Sequence, residues 1–436
     1  MGDNQKTVIR SWQMYDWANS AFATTIMSAV LPEFYSSVAG ATLDKTTATG
    51  YWSLSNTIAM LLIAVSAPIL GAIGDHYGVK KKFLGAFAGI GILATALLIG
   101  IGNGMWFYAS FLYILGRIGF AGSMIFYDSL LPHVAKPGEI DRVSAGGYAY
   151  GYVGGGILLT INVLMILKPA LFGIPNAEWG SRISFLTVAV WWAVFSIPIF
   201  KNVSEPQPFV SKDESPHPLA AGYKRLKRTF KDIRRLKELT KFLGAFWLYN
   251  DGVGTIIIMA VIFGAEIGIG RSHLIGAILM VQFLGVPFTL LFGRLPEKFG
   301  TKRSILFALC IYTIIALLGY FMTRPLHFWI LGALVAMVQG GTQALSRSMY
   351  GSMSPSSKSA EFFGFYNVSS KFAGILGPAI FMLVGRLTGT SRVSILAIVF
   401  FFLIGALVLI TVDHSKGIET AIDEDEKERR RAKEQG

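Results

Sequence analysis

The stretch that decides the fold is Gly71-Ala-Ile-Gly-Asp75-His-Tyr-Gly78-Val-Lys80-Lys81, and it returns 222 residues later as Gly293-Arg-Leu-Pro-Glu297-Lys-Phe-Gly300-Thr-Lys302-Arg303. Glycine, acid, glycine and base recur in the same register. Each copy follows one apolar run long enough to cross a bilayer and precedes another, so each predicts a tight loop between two membrane-spanning helices. The repetition indicates that the chain consists of two related halves.

The composition agrees with a membrane-embedded chain. Of the 436 residues, 53% are apolar and 15% are charged, whereas about a quarter of the residues of a soluble domain are charged. The single Cys310 excludes an internal disulfide framework. No small-residue cleavage site follows the first apolar run, so we expect that run to remain as a membrane anchor.

Twelve apolar runs of spanning length are bounded by charge, glycine or proline. They lie near residues 8–38, 50–73, 83–102, 106–131, 143–166, 183–200, 241–264, 273–295, 304–322, 326–348, 361–385 and 393–412. We expect an all-α membrane protein with twelve transmembrane helices in two pseudo-symmetric six-helix bundles. The expected divisions are the bundles at 1–200 and 241–412, a basic linker at 201–240 and a charged, frayed tail at 413–436.

The net charge of +13 is distributed unevenly between the two sides of the predicted spans. With the amino terminus inside, 29 of the 39 Lys and Arg residues fall in cytoplasmic segments, 7 in outer loops and 3 within spans. This asymmetry follows the positive-inside rule, so it predicts a multi-pass protein of the cell (inner) membrane with both termini cytoplasmic. The basic charge is thereby explained without a nucleic-acid partner.

The linker carries its own pattern. Apolar residues recur every three or four positions from Leu219 to Leu236, and basic residues fill the opposite face. This predicts a basic amphipathic helix that lies on the anionic lipids of the cytoplasmic leaflet. A regulatory partner for the same helix is the alternative.

The repeated loops are candidates for a gate. The glycines allow a tight turn, and the acid can accept hydrogen bonds from the amino end of a neighbouring helix while it pairs with a base. Lys80, Lys81 and Lys82 are expected at the lipid headgroups. The candidate gating residues are Gly71, Asp75, Gly78, Lys80, Lys81, Asp128, Gly293, Glu297, Gly300, Lys302, Arg303 and Arg347.

Charged residues inside predicted spans form a second group, because each needs a partner or a water-filled cavity. Arg347 can pair with a solute carboxylate or with Asp128, which lies at the corresponding end of span 4. For the other acids and amides, a structural hydrogen bond is the alternative to a binding role. The candidates for binding a solute or a proton are Tyr15, Asp16, Asn19, Arg117, Asn250, Asp251, Gln343, Asn367 and Lys371.

The halves also match outside the loops: Lys6, Trp12 and Asp16 recur as Lys241, Trp247 and Asp251 at a constant offset of 235. Each acid lies ten residues beyond its lysine, or about 15 Å along a helix, which is half of a hydrocarbon core about 30 Å thick. Both acids are therefore predicted near the middle of the membrane.

The paired loops, the twelve spans and the central basic linker resemble the major facilitator superfamily. Four further strings, Tyr15-Asp16-Trp17-Ala18-Asn19-Ser20, the glycine-rich segment 148–156, Gln339–Ser348 and Glu361–Asn367, are similar to the vacuole effluxer family, named for a yeast exporter of vacuolar amino acids. The resemblance implies two bundles that rock about a midplane site, with Asp16 and Asp251 facing each other across the cavity. His76, Tyr77 and Glu297 depart from the usual loop pattern.

We expect a secondary transporter of small polar or zwitterionic solutes, amino acids first, with proton coupling through Asp16 or Asp251. A lipid or amphiphile flippase on the same fold is the alternative, and a receptor or scaffold is a third possibility. No nucleotide loop, metal-ligand cluster or nucleophile–base arrangement occurs in the sequence, so we expect no cofactor, no metal and no enzyme activity. The expected oligomeric state is a monomer.

Overall fold

The computed structural model describes residues 3–207, 236–372 and 376–434, and those residues form helices joined by short loops. The main helices are α1 (Asp3–Ala21), α2 (Lys45–Tyr77), α3 (Lys80–Leu97), α4 (Trp106–Ser129), α5 (Ile140–Leu167), α6 (Ala177–Asn202), α7 (Lys237–Glu266), α8 (Arg271–Phe292), α9 (Thr301–Tyr320), α10 (Pro325–Met353), α11 (Ser359–Phe372), α12 (Leu376–Thr388), α13 (Ser391–Ile410) and α14 (His414–Glu434).

Ten helices in the described part of the chain are long and apolar enough to cross a membrane. Two further spans complete the set. The first is α1 with its helical continuation to Ala39, and the other is α11 followed by α12 in the same predicted span. The predicted all-α membrane fold with twelve spans is confirmed, because each apolar run needs internally satisfied backbone groups and a helix supplies them.

The first span changes its winding partway along. After Ala21 the helix continues in wider turns over Phe22–Ala29, where the Val30 N–H donates to the Thr25 carbonyl at 2.8 Å. A short helix at Leu31–Phe34 and a second wide turn at Tyr35–Ala39 complete the span. Wide turns of this kind inside a helix are common at functional sites.

Helices α1–α6 form one bundle around aromatic cores that include Trp12, Phe126 and Trp192. Helices α7–α13 form the second bundle, which has a single core that includes Phe246 and Tyr312. We call the side where α1 begins and α13 ends the terminal face, and the opposite side the far face.

The repeated loops lie on the terminal face, and the last glycine of each copy makes the turn. Gly78 ends α2 at φ +60°, and Gly300 precedes α9 at φ +79°, a region of backbone conformation that glycine adopts at little cost. The bases that follow fasten each bundle. Lys81 donates from Nζ to the carbonyls of Phe200 and Val203 at the end of α6, and Lys302 donates to Val412 after α13 at 2.8 Å.

The prediction that the charged tail is frayed is wrong, because the tail forms α14 and packs on the terminal face. The Asp425 carboxylate accepts the backbone N–H groups of Ser356 and Ser357, each at 2.9 Å. His414 lies 2.8 Å from the Ser352 hydroxyl, and burial together with the positive charge of Lys302 lowers the pKa of its imidazole. The tail therefore fastens the loop between α10 and α11.

The tail also makes a buried ion-pair contact, in which one lysine pairs with two acids. The Lys358 Nζ lies 3.2 Å from a carboxylate oxygen of Glu424 and 3.2 Å from one of Glu428. Lys358 is 3% exposed. Because the next residue, Ser359, begins α11, this pair fixes the position of the α11 amino terminus.

Replacement of Lys358 by Met should release α14, because Glu424 and Glu428 would lose the buried ammonium that holds them against the loop before α11. We expect several-fold faster cleavage of residues 414–434 by a protease that cuts after glutamate. Lys416→Met is the matched control, since Lys416 is an exposed lysine of the same helix. Equal cleavage rates for the two variants would contradict the assigned role of Lys358.

The amphipathic helix predicted in the linker, with its apolar positions from Leu219 on, lies almost wholly outside the described residues. Its lipid and partner interpretations therefore stay predictions.

Candidate functional site

The centre of the candidate site is the Arg347 side chain, which α10 carries into the junction between the two bundles. Its guanidinium lies 3.2 Å from a carboxylate oxygen of Asp16 on α1 and 3.1 Å from one of Asp128 on α4. It also donates to the hydroxyl and the carbonyl of Ser144 on α5, at 3.0 and 2.9 Å. Four helices from both bundles thus meet at one side chain, and the Arg347–Asp128 contact predicted from the sequence is present.

Aromatic rings enclose the guanidinium. Its central carbon lies 4.9 Å from the ring centroid of Trp12, 5.6 Å from that of Tyr127 and 4.3 Å from that of Tyr148. The Tyr127 hydroxyl donates to Asp16 at 2.7 Å. These rings exclude water and attract the cation through their π faces, which strengthens every charge interaction inside the cage.

The cluster contains more acidic than basic groups. Asp16 and Asp128 are each 4% exposed and Arg347 is 1% exposed, so two acids share one buried base. With both carboxylates ionised the group bears a net charge of −1, and one added proton makes it neutral. Asn367 on α11 contributes a neutral donor to Asp128 at 3.5 Å.

A second layer of contacts lies nearer the terminal face. The Asp75 carboxylate accepts the N–H groups of Ala360 and Glu361 at 3.1 and 2.8 Å and pairs with the Lys80 ammonium at 2.8 Å. Lys80 also donates to the Ser359 hydroxyl at 2.6 Å. An acid of the first bundle thus caps the α11 helix of the second, as predicted for the loop motif.

The expectation that Lys80 lies at the lipid headgroups is wrong, because its side chain is 3% exposed and points into this layer. The physical reason is Asp75: its buried carboxylate would be left as an uncompensated charge if the Lys80 ammonium moved to the aqueous interface. His133 completes the layer, with its Nε2 atom 3.2 Å from Lys80 and 3.1 Å from the Ser359 hydroxyl.

The two copies of the loop motif make unequal contacts. Among the described residues, the ion-pair partner of Glu297, the counterpart of Asp75, is Arg142, at 3.9 Å, and both side chains are more than half exposed. Asp141 supplies the closer contacts on that side: it accepts from Thr301 at 2.9 Å and from Ser348. The duplicated sequence has kept the loop, but only the first copy has kept the buried acid.

The first glycine of each copy permits close packing between the bundles. A methyl group on Gly71 would lie 2.2 Å from the Ala360 carbonyl oxygen, and one on Gly293 would lie 2.5 Å from the Ala145 side chain. The sequence interpretation placed these glycines in the turn itself, whereas Gly71 lies within α2. We call these contacts, together with the layers around Arg347 and Asp75, the terminal gate.

Asp16 and Asp251, which were expected to face each other across a cavity, have different partners. Asp16 belongs to the Arg347 cluster, whereas Asp251 accepts the Gly377 N–H at 3.1 Å. That bond lies within the second bundle, near the start of α12. Asp251 thus accepts a backbone N–H of α12, which is the structural role that the sequence left open.

The other candidates for binding a solute or a proton are spread over both bundles. Asn19 donates to the Met124 sulfur at 3.2 Å, and Asn250 donates to the Ser370 carbonyl at 3.5 Å. Tyr15 packs on Tyr127 with ring centroids 5.0 Å apart. Gln343 is half-buried one turn before Arg347 on α10, and the Lys371 side chain lies outside the described residues. Arg303, from the gating set, is exposed.

Sequence reasoning missed Ser144 and the aromatic cage. Ser144 joins the bundles twice, because it accepts from Arg347 and its hydroxyl donates to the Ala344 carbonyl at 2.8 Å. The available signal was spacing: Trp12 lies one helical turn before Asp16, and Tyr127 precedes Asp128. Rings that flank a buried acid would have suggested a shared site.

Two six-helix bundles joined at one face by buried charges are the architecture of the major facilitator superfamily. A solved structure of that superfamily, the proton:xylose symporter XylE, superimposes with a TM-score of 0.71 at 14% sequence identity, covering 95% of this chain and 97% of that one. The similarity establishes the fold and confirms the resemblance noted from the sequence.

Within the superfamily, residues 43–140 and 136–422 match the family described as "Vacuole effluxer Atg22 like", and the chain belongs to that family. An uncharacterised MFS-type transporter of Bacillus subtilis, YxiO, is 39% identical over 401 residues, which cover 92% of this chain and 93% of that protein. Autophagy-related protein 22-1 of Penicillium rubens is 25% identical over 452 residues, covering 83% of this chain and 75% of that protein. The chain is therefore a multi-pass membrane transporter.

Proposed function

We propose that this transporter moves small zwitterionic solutes, with amino acids as the first candidates, by alternating access coupled to protons. The observation that supports the proposal is the buried cluster of two acids and one base that bridges the bundles, Asp16 and Asp128 with Arg347. Opening the terminal gate separates Arg347 from both acids, and an unpaired carboxylate in a low-dielectric site gains from binding a proton.

The proposed orientation places the terminal face in the cytoplasm of a cell with the protein in its inner membrane. The charge census supports it, since 29 of the 39 basic residues fall on that side. The described state is then closed towards the cytoplasm. A solute would enter from the far face, and rearrangement of the terminal gate would release it, or the same steps would run in reverse.

The cycle couples proton and solute through the charge of the cluster. With both acids ionised, Arg347 holds the bundles together, and neutral donors offset the excess negative charge: the Tyr127 hydroxyl donates to Asp16 and the Asn367 amide donates to Asp128. A proton on Asp16 or Asp128 removes half of the attraction, which lowers the cost of opening. The proton gradient thereby drives the opening of the terminal gate, and this opening is the step that moves the solute site.

Replacement of Asp16 by Asn tests this coupling. The amide keeps its place beside Arg347 and Tyr127 but cannot exchange a proton, and it leaves the neutral pair of Arg347 with Asp128. We expect accumulation driven by a pH gradient in proteoliposomes to fall to background, while exchange of labelled for unlabelled amino acid without a gradient persists.

Asp44→Asn is the matched control, because Asp44 caps α2 outside the gate and an amide caps equally well. It should transport like the parent. If Asp16→Asn still accumulates amino acid in response to the pH gradient, the assignment of the proton to this cluster is wrong. If the parent protein moves no amino acid from a panel that includes apolar, polar and charged members, the proposed solute class is wrong.

A further inference from the structure

Arg117 differs from the other buried arginine in the described residues. Arg347 has two carboxylate partners, whereas Arg117, which is 6% exposed, has no carboxylate within ion-pair distance in the part of the chain that the structure describes. Its guanidinium donates to the Met27 sulfur, which is a weak acceptor. A cation placed inside a membrane protein without an acid is costly unless a ligand or a hydrated cavity compensates it.

The position of Arg117 on α4 directs it towards the junction of the bundles. Arg117 precedes Asp128 by 11 residues, which is three helical turns, so both lie on one stripe of the helix about 16 Å apart. Asp128 on that stripe meets Arg347 of the other bundle. Arg117 therefore lies on the same side of α4, deeper in the membrane than the terminal gate.

The hydrogen bonds beside Arg117 involve neutral groups. The Tyr113 hydroxyl, one helical turn before Arg117 on α4, donates to the Asn56 carbonyl oxygen at 3.2 Å. The hydrogen bond of the guanidinium itself ends on the Met27 thioether sulfur, so its other N–H groups have the capacity to bind a carboxylate.

We propose that Arg117 binds the carboxylate of the transported solute. The planar fork of a guanidinium fits the two oxygens of a carboxylate, and the desolvated setting strengthens the pair. The proposal rests on the proposed function and specifies which end of a zwitterion this site reads. Asp128 of the terminal gate lies on the same helix stripe, so the bound carboxylate would lie about three helical turns from the gate.

The test measures binding of three probes to protein in phosphatidylcholine nanodiscs, which offer no anionic lipid headgroup. L-leucine carries both charges, 4-methylpentanoate carries only the carboxylate, and L-leucinamide carries only the ammonium. Arg117→Gln should weaken binding of the first two probes by about tenfold or more and leave the third within about twofold of the parent. Arg117→Lys should fall between, because an ammonium keeps the charge but not the fork.

The matched control is Arg182→Gln, which removes a partly buried arginine of the same bundle that, unlike Arg117, has a carboxylate partner, Glu178. The unfolding temperature without ligand gives an independent readout, since removal of an uncompensated cation should not lower it. A lower unfolding temperature with equal weakening of all three probes would show a structural arginine and overturn the proposal. Failure of both carboxylate probes to bind the parent would overturn it as well.

The two proposals can fail separately. Binding of 4-methylpentanoate but not L-leucine, lost in Arg117→Gln, would support the carboxylate site and contradict amino acids as the solute. Binding of L-leucine that Arg117→Gln leaves unchanged would support amino acids and overturn the role of Arg117.

Discussion

Replacement of Arg347 by Met should abolish transport and lower the thermal stability of the protein more than any other single change in the terminal gate. The substitution leaves Asp16 and Asp128 buried beside each other without a cation. Breaking one side of a buried ion pair costs about 3–5 kcal/mol, because the remaining charge stays desolvated. Ser144 loses its guanidinium partner in the same change.

Three further variants separate charge from shape. Arg347→Lys keeps the charge but cannot reach two acids and Ser144 with one ammonium, so it should retain part of the stability and little transport. The triple variant Arg347→Met with Asp16→Asn and Asp128→Asn removes all three charges and should recover most of the unfolding temperature without pH-driven accumulation. Arg303→Met, on an exposed arginine of the terminal face, is the control.

The measurements are the unfolding temperature in detergent and solute uptake by proteoliposomes. A stable Arg347→Met variant that transports at the parental rate would contradict the assignment of this cluster to the gate. A triple variant that is no more stable than the single one would show that packing around Arg347, and not the unpaired acids, determines the loss.

The membrane architecture was predictable from the sequence because each span is a long apolar run with charged or turn-forming ends. The Arg347–Asp128 pair was also predictable, since a charge in a span needs a partner and both residues lie near the same ends of their helices. In contrast, Lys80 looked like a typical interfacial lysine. Its burial depends on Asp75 and Ser359, and Ser359 lies on the other half of the chain.

The duplication misled the interpretation of Asp251. Its match with Asp16 suggested that the two acids face each other, whereas Asp251 accepts the Gly377 N–H within the second bundle, in line with the structural alternative. The tail was misjudged for a related reason. Its charges looked like those of a solvated segment, yet Lys358 lies 66 residues before Glu424, and a pairing at that distance leaves no local pattern.

The proposed solute site follows a different logic from the gate. Charges that pair within the protein explain its stability and motion, and their partners are other residues of the chain. Arg117 has no carboxylate within ion-pair distance among the described residues, and the partner that we propose for it is the solute carboxylate. On that proposal, the two buried arginines divide the junction into a part that closes and a part that binds.

Replacement of Gly71 by Ala should hold the terminal gate open, although alanine is the better helix former by about 1 kcal/mol. The added methyl group would lie 2.2 Å from the Ala360 carbonyl oxygen and 2.8 Å from the Glu361 Cα atom, and backbone atoms cannot move aside as a flexible side chain can. Because the clash joins two bundles, each bundle should fold normally while closure of the gate is blocked. Gly364→Ala should act alike from the other side, since its methyl group would lie 2.8 Å from the Ala67 carbonyl oxygen.

The readout is the reactivity of a cysteine placed at Ala344 in a Cys310→Ser background, towards a membrane-impermeant maleimide added at the terminal face. Ala344 is fully buried and accepts the Ser144 hydroxyl across the junction, so it reacts only when the gate opens. We expect labelling about tenfold faster in Gly71→Ala, with transport lost. Gly89→Ala is the control, because a methyl group there meets no atom within 4 Å. Parental labelling and transport in Gly71→Ala would mean that the bundles do not need this close contact to close, and the gate would then depend on the buried charges alone.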